Sequence, residues 1–200
     1  ANEQKLFEII AKKYQKNKLA LFIRMLQMES NPKMLLQKID LKDFSSVLDL
    51  QTDINLIDFV DYANEVKTLI EDIGITSKKK ECLSLTEKLV NENKKVVIWC
   101  IFVDSIRSIK ASLESMGIKA ECIMGEVALE DRIALTNAFK DGKYDVLITN
   151  PHTLAESVSL HHVCHDAIYY EYSYNLVHLL QSKDRIHRLG LKEGQYTQYY

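Results

Sequence analysis

The sequence predicts an α/β protein in which a parallel sheet with helices on both faces is preceded by an all-helical segment. Three observations predict this fold class. From Lys94 onward, short apolar runs alternate with amphipathic segments. A helical pattern separates one apolar run from the next, as parallel strands require. Before that point, apolar residues recur at spacings of three and four, and positions 2–73 contain one proline and no glycine.

The helical part is predicted to contain two stretches. The first breaks before Pro32, because the residue that precedes a proline is pushed out of the helical region. A second helix is predicted over 55–71, opened by the polar positions 51–53 and ended by Gly74.

The α/β part is predicted from its apolar runs. Positions 96–102 are apolar without alternation, which is typical of a strand covered on both faces. The predicted strands are 96–102, 120–124, 145–149 and 167–170, and the predicted helices are 105–116, 129–139 and one more after the last strand. Sheets of this kind place their functional loops at the carboxyl ends of the strands.

This change of pattern predicts two parts, a helical segment over 1–76 and an α/β domain over 77–200. The chain begins with alanine, and its last residues look like an interrupted strand. We therefore expect a fragment of a longer protein, truncated at its carboxyl terminus.

The composition narrows the class of protein. Hydrophobic residues make up 46% of the chain and charged residues 27%, as in ordinary globular domains. The net charge of −2 gives no global basic field, so any contact with nucleic-acid phosphates would be local. No apolar segment is long enough to cross a bilayer, and positions 1–5 lack the basic-then-apolar layout expected of a secretory signal. We expect a cytoplasmic protein, or a nuclear one in a eukaryote, with four free thiols and no membrane partner.

Two arginines near the carboxyl terminus carry the most chemical information. Arg185 and Arg188 stand three positions apart behind Gln181 on a predicted helix, so both reach toward one anion. A fixed pair of guanidinium groups is the usual device for stabilising charge that develops during phosphoryl transfer. Spacing alone favours a simpler reading, a surface helix whose arginines pair with Asp184 and Glu193.

The surrounding residues reverse that preference. Together with Asn175 and Gly190, the arginine segment resembles the last conserved motif of the superfamily two helicases, in the version used by the Swi/Snf-type DNA translocases. Other segments fall in the order that this family requires: 26–35 resembles its leucine-rich helix, 95–99 the first strand of its second RecA-like domain, Gly125 with Arg132 and Phe139 the next motif, and 147–160 the motif that faces nucleotide and DNA.

The resemblance implies a RecA-like fold and one half of a motor. In this family, ATP and Mg²⁺ lie between two RecA-like domains, and the first domain holds most of their contacts. The present sequence contains no G-x-x-x-x-G-K-S/T phosphate loop. We therefore expect its partners to be double-stranded DNA and the N-terminal RecA-like domain of the same polypeptide, and we expect the fragment alone not to hydrolyse ATP.

The resemblance also assigns the nucleotide site. It implies that Arg188 is the arginine finger, that Arg185 is its neighbour on the phosphate, and that Gln181 orients both. Glu156 either contacts the ribose hydroxyls or is simply solvated, and the sequence favours neither. His187 is read as a packed imidazole, because such a site needs no general base there.

The DNA site is assigned in the same way, to Gly125, Arg132, Thr149, Ser157 and Ser159. The family often has glycine where Ser157 stands, which allows the backbone to approach its ligand closely. A serine hydroxyl or backbone N–H donates to phosphate as well. The choice of DNA over RNA rests on the resemblance, since phosphate contacts do not distinguish them.

The sequence suggests three other interpretations. The cluster 161–166 contains zinc-ligand types, but its spacing is too dense for a tetrahedral site and we expect no metal there. A non-hydrolysing RecA-like module that binds DNA or a protein is the alternative function. A dinucleotide enzyme is disfavoured, because no strand-to-helix turn has the required glycines.

Overall fold

The computed structural model describes residues 1–37, 64–151, 153, 159–172, 176–186 and 196–200. Its helices are α1 (Asn2–Tyr14), α2 (Lys18–Ser30), α3 (Asn64–Ile73), α4 (Ser77–Asn91), α5 (Val103–Ser115), α6 (Leu129–Lys140) and α7 (Leu176–Ile186), with a short 3-10 helix over Pro32–Leu36. Its strands are β1 (Val96–Trp99), β2 (Ala120–Ile123), β3 (Val146–Thr149), β4 (Asp166–Tyr169) and β5 (Gln198–Tyr199).

The strands form one parallel sheet in the order β2-β3-β1-β4-β5. The central strand β1 lies between β3 and β4, and all four of its residues are buried. This is the arrangement expected for a strand without polar alternation, because helices cover both faces of the sheet. The predicted fold class, a parallel sheet preceded by helices, is confirmed.

Two apolar cores lie on the two faces of the sheet, as the period of two along a strand requires. Val96 and Ile98 belong to a core that also contains residues of α4 and α5. Val97 and Trp99 belong to a second core with Phe139 of α6 and the last residue of α7. The helix that carries Arg185 is therefore packed on one defined face.

The helical segment packs on itself and on the sheet. Leu6 of α1 and Ile70 of α3 are buried in one shared cluster. A second cluster joins Ile23 of α2 to Ile101 and Phe102, which follow β1. The predicted break before Pro32 is confirmed, since α2 ends at Ser30 and the chain is extended at Asn31.

Gly74 ends α3 with a φ of +59°, the left-handed conformation that glycine adopts most readily. The predicted helix over 55–71 corresponds to α3 in its described part and extends two residues further, to Ile73. Positions 55–63 lie outside the described residues.

Strand β1 is shorter than predicted. It ends at Trp99 rather than at position 102, and α5 begins at Val103 rather than at 105. The backbone N–H groups of Ile101 and Phe102 leave the sheet and bond to the carboxylate of Glu171. The sequence shows the apolar run but not this distant acceptor.

The four cysteines are free thiols, as predicted. Burial raises the pKa of Cys82 and of Cys164 to about 12, so both remain protonated at neutral pH. Among the described helices, none is long and apolar enough to cross a membrane.

Candidate functional site

The carboxyl ends of four strands form one straight edge. Trp99 is in register with both Thr149 and Tyr169, and Ile123 is in register with Thr149. The segments that follow these residues hold most of the predicted site positions, so the sheet gathers at one edge residues that are far apart in sequence.

Helix α7 presents two different faces. Ser182 and Ile186, four positions apart, are buried, whereas Gln181 is exposed and Arg185 is half-buried. Gln181 and Arg185 are also four apart, so they share the face that is not packed on the sheet. The structure therefore brings these two predicted residues together. Arg188, the predicted finger, and His187 lie outside the described residues.

Helix α7 is tied to its surroundings by polar contacts. The hydroxyl groups of Tyr169 and Ser182 lie 2.7 Å apart, which joins the end of β4 to the middle of α7. The carbonyl of Arg185 accepts the N–H of Leu160 at 2.9 Å. The position of Arg185 is thus set by two contacts, one from the end of β4 to Ser182 and one from Leu160, which precedes β4.

Glu171, which the sequence analysis did not single out, is a buried carboxylate with three donors. It is 1% exposed and accepts the N–H groups of Ile101 at 2.8 Å and Phe102 at 2.9 Å, and the hydroxyl of Ser105 at 2.5 Å. Helix α5 has no side-chain cap of its own. Glu171, which follows β4, therefore satisfies two backbone donors of the turn that leads into α5 and the hydroxyl of Ser105 in the first turn of that helix.

Burial raises the pKa of Glu171, and the bonds from Phe102 and Ser105 oppose that effect. The one available signal in the sequence is a carboxylate placed directly after an apolar strand. Its partners lie about 70 positions earlier in the chain, and spacing cannot reveal them.

Arg132 has a structural role at this edge of the sheet. Its Nε and Nη2 atoms donate to the carbonyls of Val127 and Gly125, both at 2.7 Å, and Nη1 donates to that of Thr153 at 3.3 Å. The guanidinium thereby joins the turn after β2 to the turn after β3. Arg132 thus supports these turns, one of which carries the exposed Gly125, and its contact with DNA stays a prediction.

The predicted contact of Thr149 with DNA does not agree with the structure. It is 0% exposed, and its hydroxyl donates to the carbonyl of Ile123 at 2.8 Å, across the pair β2–β3. A side chain in this position does not reach a nucleic acid. The resemblance suggested a contact with DNA, but Thr149 is the last residue of β3 and its hydroxyl is used inside the sheet.

Replacing Thr149 with valine, which keeps the shape and removes the hydroxyl, is expected to lower the free energy of unfolding by about 1 to 3 kcal/mol, because the carbonyl of Ile123 loses a buried partner. Duplex DNA affinity should not change. Chemical denaturation and fluorescence anisotropy measure the two quantities, with the exposed Thr68→Val on α3 as the matched control. A weaker DNA affinity without loss of stability would restore the original assignment.

Three predicted positions remain, which are Glu156, Ser157 and Ser159. Ser159 is half-buried, and its hydroxyl is hydrogen-bonded to Nδ1 of His161. Glu156 and Ser157 lie outside the described residues.

Across the described ranges, no three side chains of His, Cys, Asp or Glu converge on a metal position. In the predicted cluster, Cys164 is buried and donates to the carbonyl of Lys95 at 3.2 Å.

Comparisons with known proteins give a family and a fold. The model of the helicase conserved C-terminal domain matches residues 77–190, more than half of the chain. No curated protein matches the sequence.

Three solved structures are similar over most of this chain. The C-terminal part of the Fun30 ATPase domain is 16% identical, with a TM-score of 0.64, covering 100% of this chain and 80% of that one. The Sulfolobus solfataricus SWI2/SNF2 ATPase C-terminal domain is 11% identical, with a TM-score of 0.57 and coverages of 86% and 68%. The Sulfolobus solfataricus SWI2/SNF2 ATPase core in complex with dsDNA is 15% identical, with a TM-score of 0.59, covering 100% of this chain and 36% of that one.

Proposed function

Because this chain belongs to the helicase conserved C-terminal domain family, we propose that it is the C-terminal motor half of a DNA-dependent ATPase that moves along double-stranded DNA. Its fold is that of the second RecA-like domain of SWI2/SNF2 ATPases, including the helical segment ahead of the sheet. The helicase C-terminal domain and the fold are therefore confirmed, and the Swi/Snf type and the activity are the proposal.

The observation that carries the proposal is the placement of α7. This helix follows the carboxyl end of β4 and carries Gln181, which is exposed, and Arg185, which is half-buried, away from the face that packs on the sheet. Amide and guanidinium groups are donors suited to phosphate oxygens. In the proposed site, Arg185 and Arg188 contact the phosphates of ATP, and Gln181 orients them.

The donors of this chain suit the phosphates rather than the metal. Within the described part of the chain, no acidic cluster suited to Mg²⁺ is found. As the family resemblance implies, we assign most of the contacts to ATP and Mg²⁺ to a separate N-terminal RecA-like domain. When the two domains close, the arginines complete the set of positive charges, and hydrolysis becomes possible only in that state.

The DNA contact is proposed for the same edge of the sheet. The net charge of −2 rules out a general basic surface as the source of affinity, so the contacts must be local. One structural neighbour is a SWI2/SNF2 ATPase core in complex with dsDNA. We propose Gly125, Ser157 and Ser159 as contacts with the DNA backbone, while Arg132 and Thr149 hold the turns that present them.

The proposal is tested by measuring ATP hydrolysis by the full-length protein and by residues 1–200, each with and without duplex DNA. Duplex DNA should stimulate the full-length protein, and the 200-residue chain should be at least about 100-fold slower, because it has no phosphate loop to fix the nucleotide. An equal rate for the two proteins would contradict the proposal. DNA binding by the full-length protein without any hydrolysis would instead support a non-hydrolysing module.

A further inference from the structure

A hydrogen bond between β4 and α7 joins the strand to the part of the helix that carries Gln181 and Arg185. Tyr169 is the last residue of β4, and Ser182 is the residue after Gln181 and three before Arg185. Ser182 is 1% exposed, so its hydroxyl is in the packed interface and not in the open site. The contact therefore lies on the packed side of α7 and not on the side that carries Gln181 and Arg185.

The direction of this hydrogen bond follows from counting protons. The Ser182 hydroxyl donates its one proton to the carbonyl of Leu179 at 2.7 Å. It must therefore accept from the hydroxyl of Tyr169, which lies 2.7 Å away. Burial raises the pKa of Tyr169 to about 12, so this hydroxyl keeps its proton at neutral pH.

The ring of Tyr169 is itself fixed by its neighbours. It stacks on the fully buried Trp99 of β1, with ring centroids 6.4 Å apart. It also contacts the ring of Tyr199 of β5, with ring centroids 6.2 Å apart. The Nζ atom of Lys183 lies over the ring of Tyr199 at 5.1 Å. Three adjacent strands thus offer a rigid aromatic platform beneath α7.

We propose that Tyr169 and Ser182 are positioning residues that set the rotation and height of α7, and through it the placement of Gln181 and Arg185. Successive residues of a helix are separated by about 100° around its axis, so a bond that fixes Ser182 also fixes the direction in which its neighbours point. Because Ser182 is buried, the bond acts on the site only through the placement of the helix. This inference rests on the proposed function, because it concerns the reach of the arginines toward phosphate.

The test compares Tyr169→Phe, Ser182→Ala and the double variant in the full-length protein. Each single variant is expected to lower kcat about 10-fold, because small displacements of catalytic groups have large effects on rate. The double variant should be no slower than either single variant, since both remove the same bond. KM for ATP and affinity for duplex DNA should stay near wild type, and Tyr172→Phe, at a residue 61% exposed, is the matched control.

Thermal melting separates positioning from simple stabilisation. A residue that only stabilises the fold would lower Tm and leave kcat per folded molecule unchanged, and that result would overturn the inference. Wild-type kcat in both single variants, alongside an inactive Arg188→Ala protein, would also overturn it while leaving the proposed function intact. Wild-type turnover by Arg188→Ala would overturn the proposed function and this inference together.

Discussion

Replacing Arg188 with alanine in the full-length protein is expected to abolish DNA-stimulated ATP hydrolysis. An arginine supplied to a nucleotide from another domain contributes on the order of 10³ to 10⁵ in kcat, because it stabilises charge that is largest in the transition state. Arg185→Ala should be impaired in the same direction. Affinity for duplex DNA should be nearly unchanged in both variants, since neither arginine is assigned to the DNA.

Arg107→Ala is the matched control for the loss of a positive charge. Arg107 lies on α5, its side chain is 58% exposed, and it pairs with the exposed Glu126 at 3.7 Å. A surface pair of this kind contributes little to stability, so activity should remain at the wild-type level. Steady-state hydrolysis and DNA anisotropy provide both readouts. Unchanged turnover in Arg188→Ala would refute the assignment of the finger.

Replacing Glu171 with alanine is expected to lower the free energy of unfolding by about 3 kcal/mol or more. The substitution removes the acceptor of two backbone N–H groups and one hydroxyl inside the protein, and each orphaned buried donor costs about 1 to 3 kcal/mol. Urea denaturation, followed through the fluorescence of Trp99, measures this effect. Trp99 is the single tryptophan of these 200 residues.

Two further variants sharpen this experiment. Glu171→Gln keeps the shape and one carbonyl acceptor, so its loss should be nearer about 1 kcal/mol. Glu87→Ala, at an exposed position on α4, should change stability very little. If Glu171→Ala is as stable as Glu87→Ala, the carboxylate does not stabilise the turn that leads into α5.

The same residue predicts a dependence on pH. Burial raises the pKa of Glu171 above its ordinary value of 4.5, so the folded protein holds this proton more tightly than the unfolded chain does. Its contribution is fully present below the ordinary pKa and is lost as the pH rises through the raised pKa. The stability of wild type relative to Glu171→Gln should therefore increase as the pH falls from neutral toward 4.5. A difference that shrinks on acidification would mean that the folded carboxyl has a lowered pKa.

The sheet was predictable because local pattern and global position agree in it. A strand buried on both faces must be apolar throughout, and the four residues of β1 are so. Pro32 and Gly74 likewise mark breaks that depend on the backbone of single residues. Most strand and helix ends differ from the predicted ones by one or two residues, and the largest difference, at the end of β1, lies where the distant Glu171 binds the chain after Trp99.

The candidate site was predicted unevenly, for a physical reason. The shared face of Gln181 and Arg185 follows from helical periodicity alone. The turn-supporting roles of Arg132 and Thr149 do not, because their partners lie on other strands and turns. The sequence alone does not show whether a polar residue near a functional motif faces solvent or bonds to a backbone carbonyl inside the protein.

The sequence by itself determined the fold class, the succession of strands and helices, and the arginine segment that indicated the family. Only the tertiary structure decided which polar side chains are open to a ligand and which are used inside the protein. The physical reason is that hydrophobic periodicity is local, whereas a buried polar group takes whichever partner the packed fold brings near it. Glu171, Thr149 and Tyr169 owe their roles to residues that are remote along the chain and adjacent only at the edge of the folded sheet.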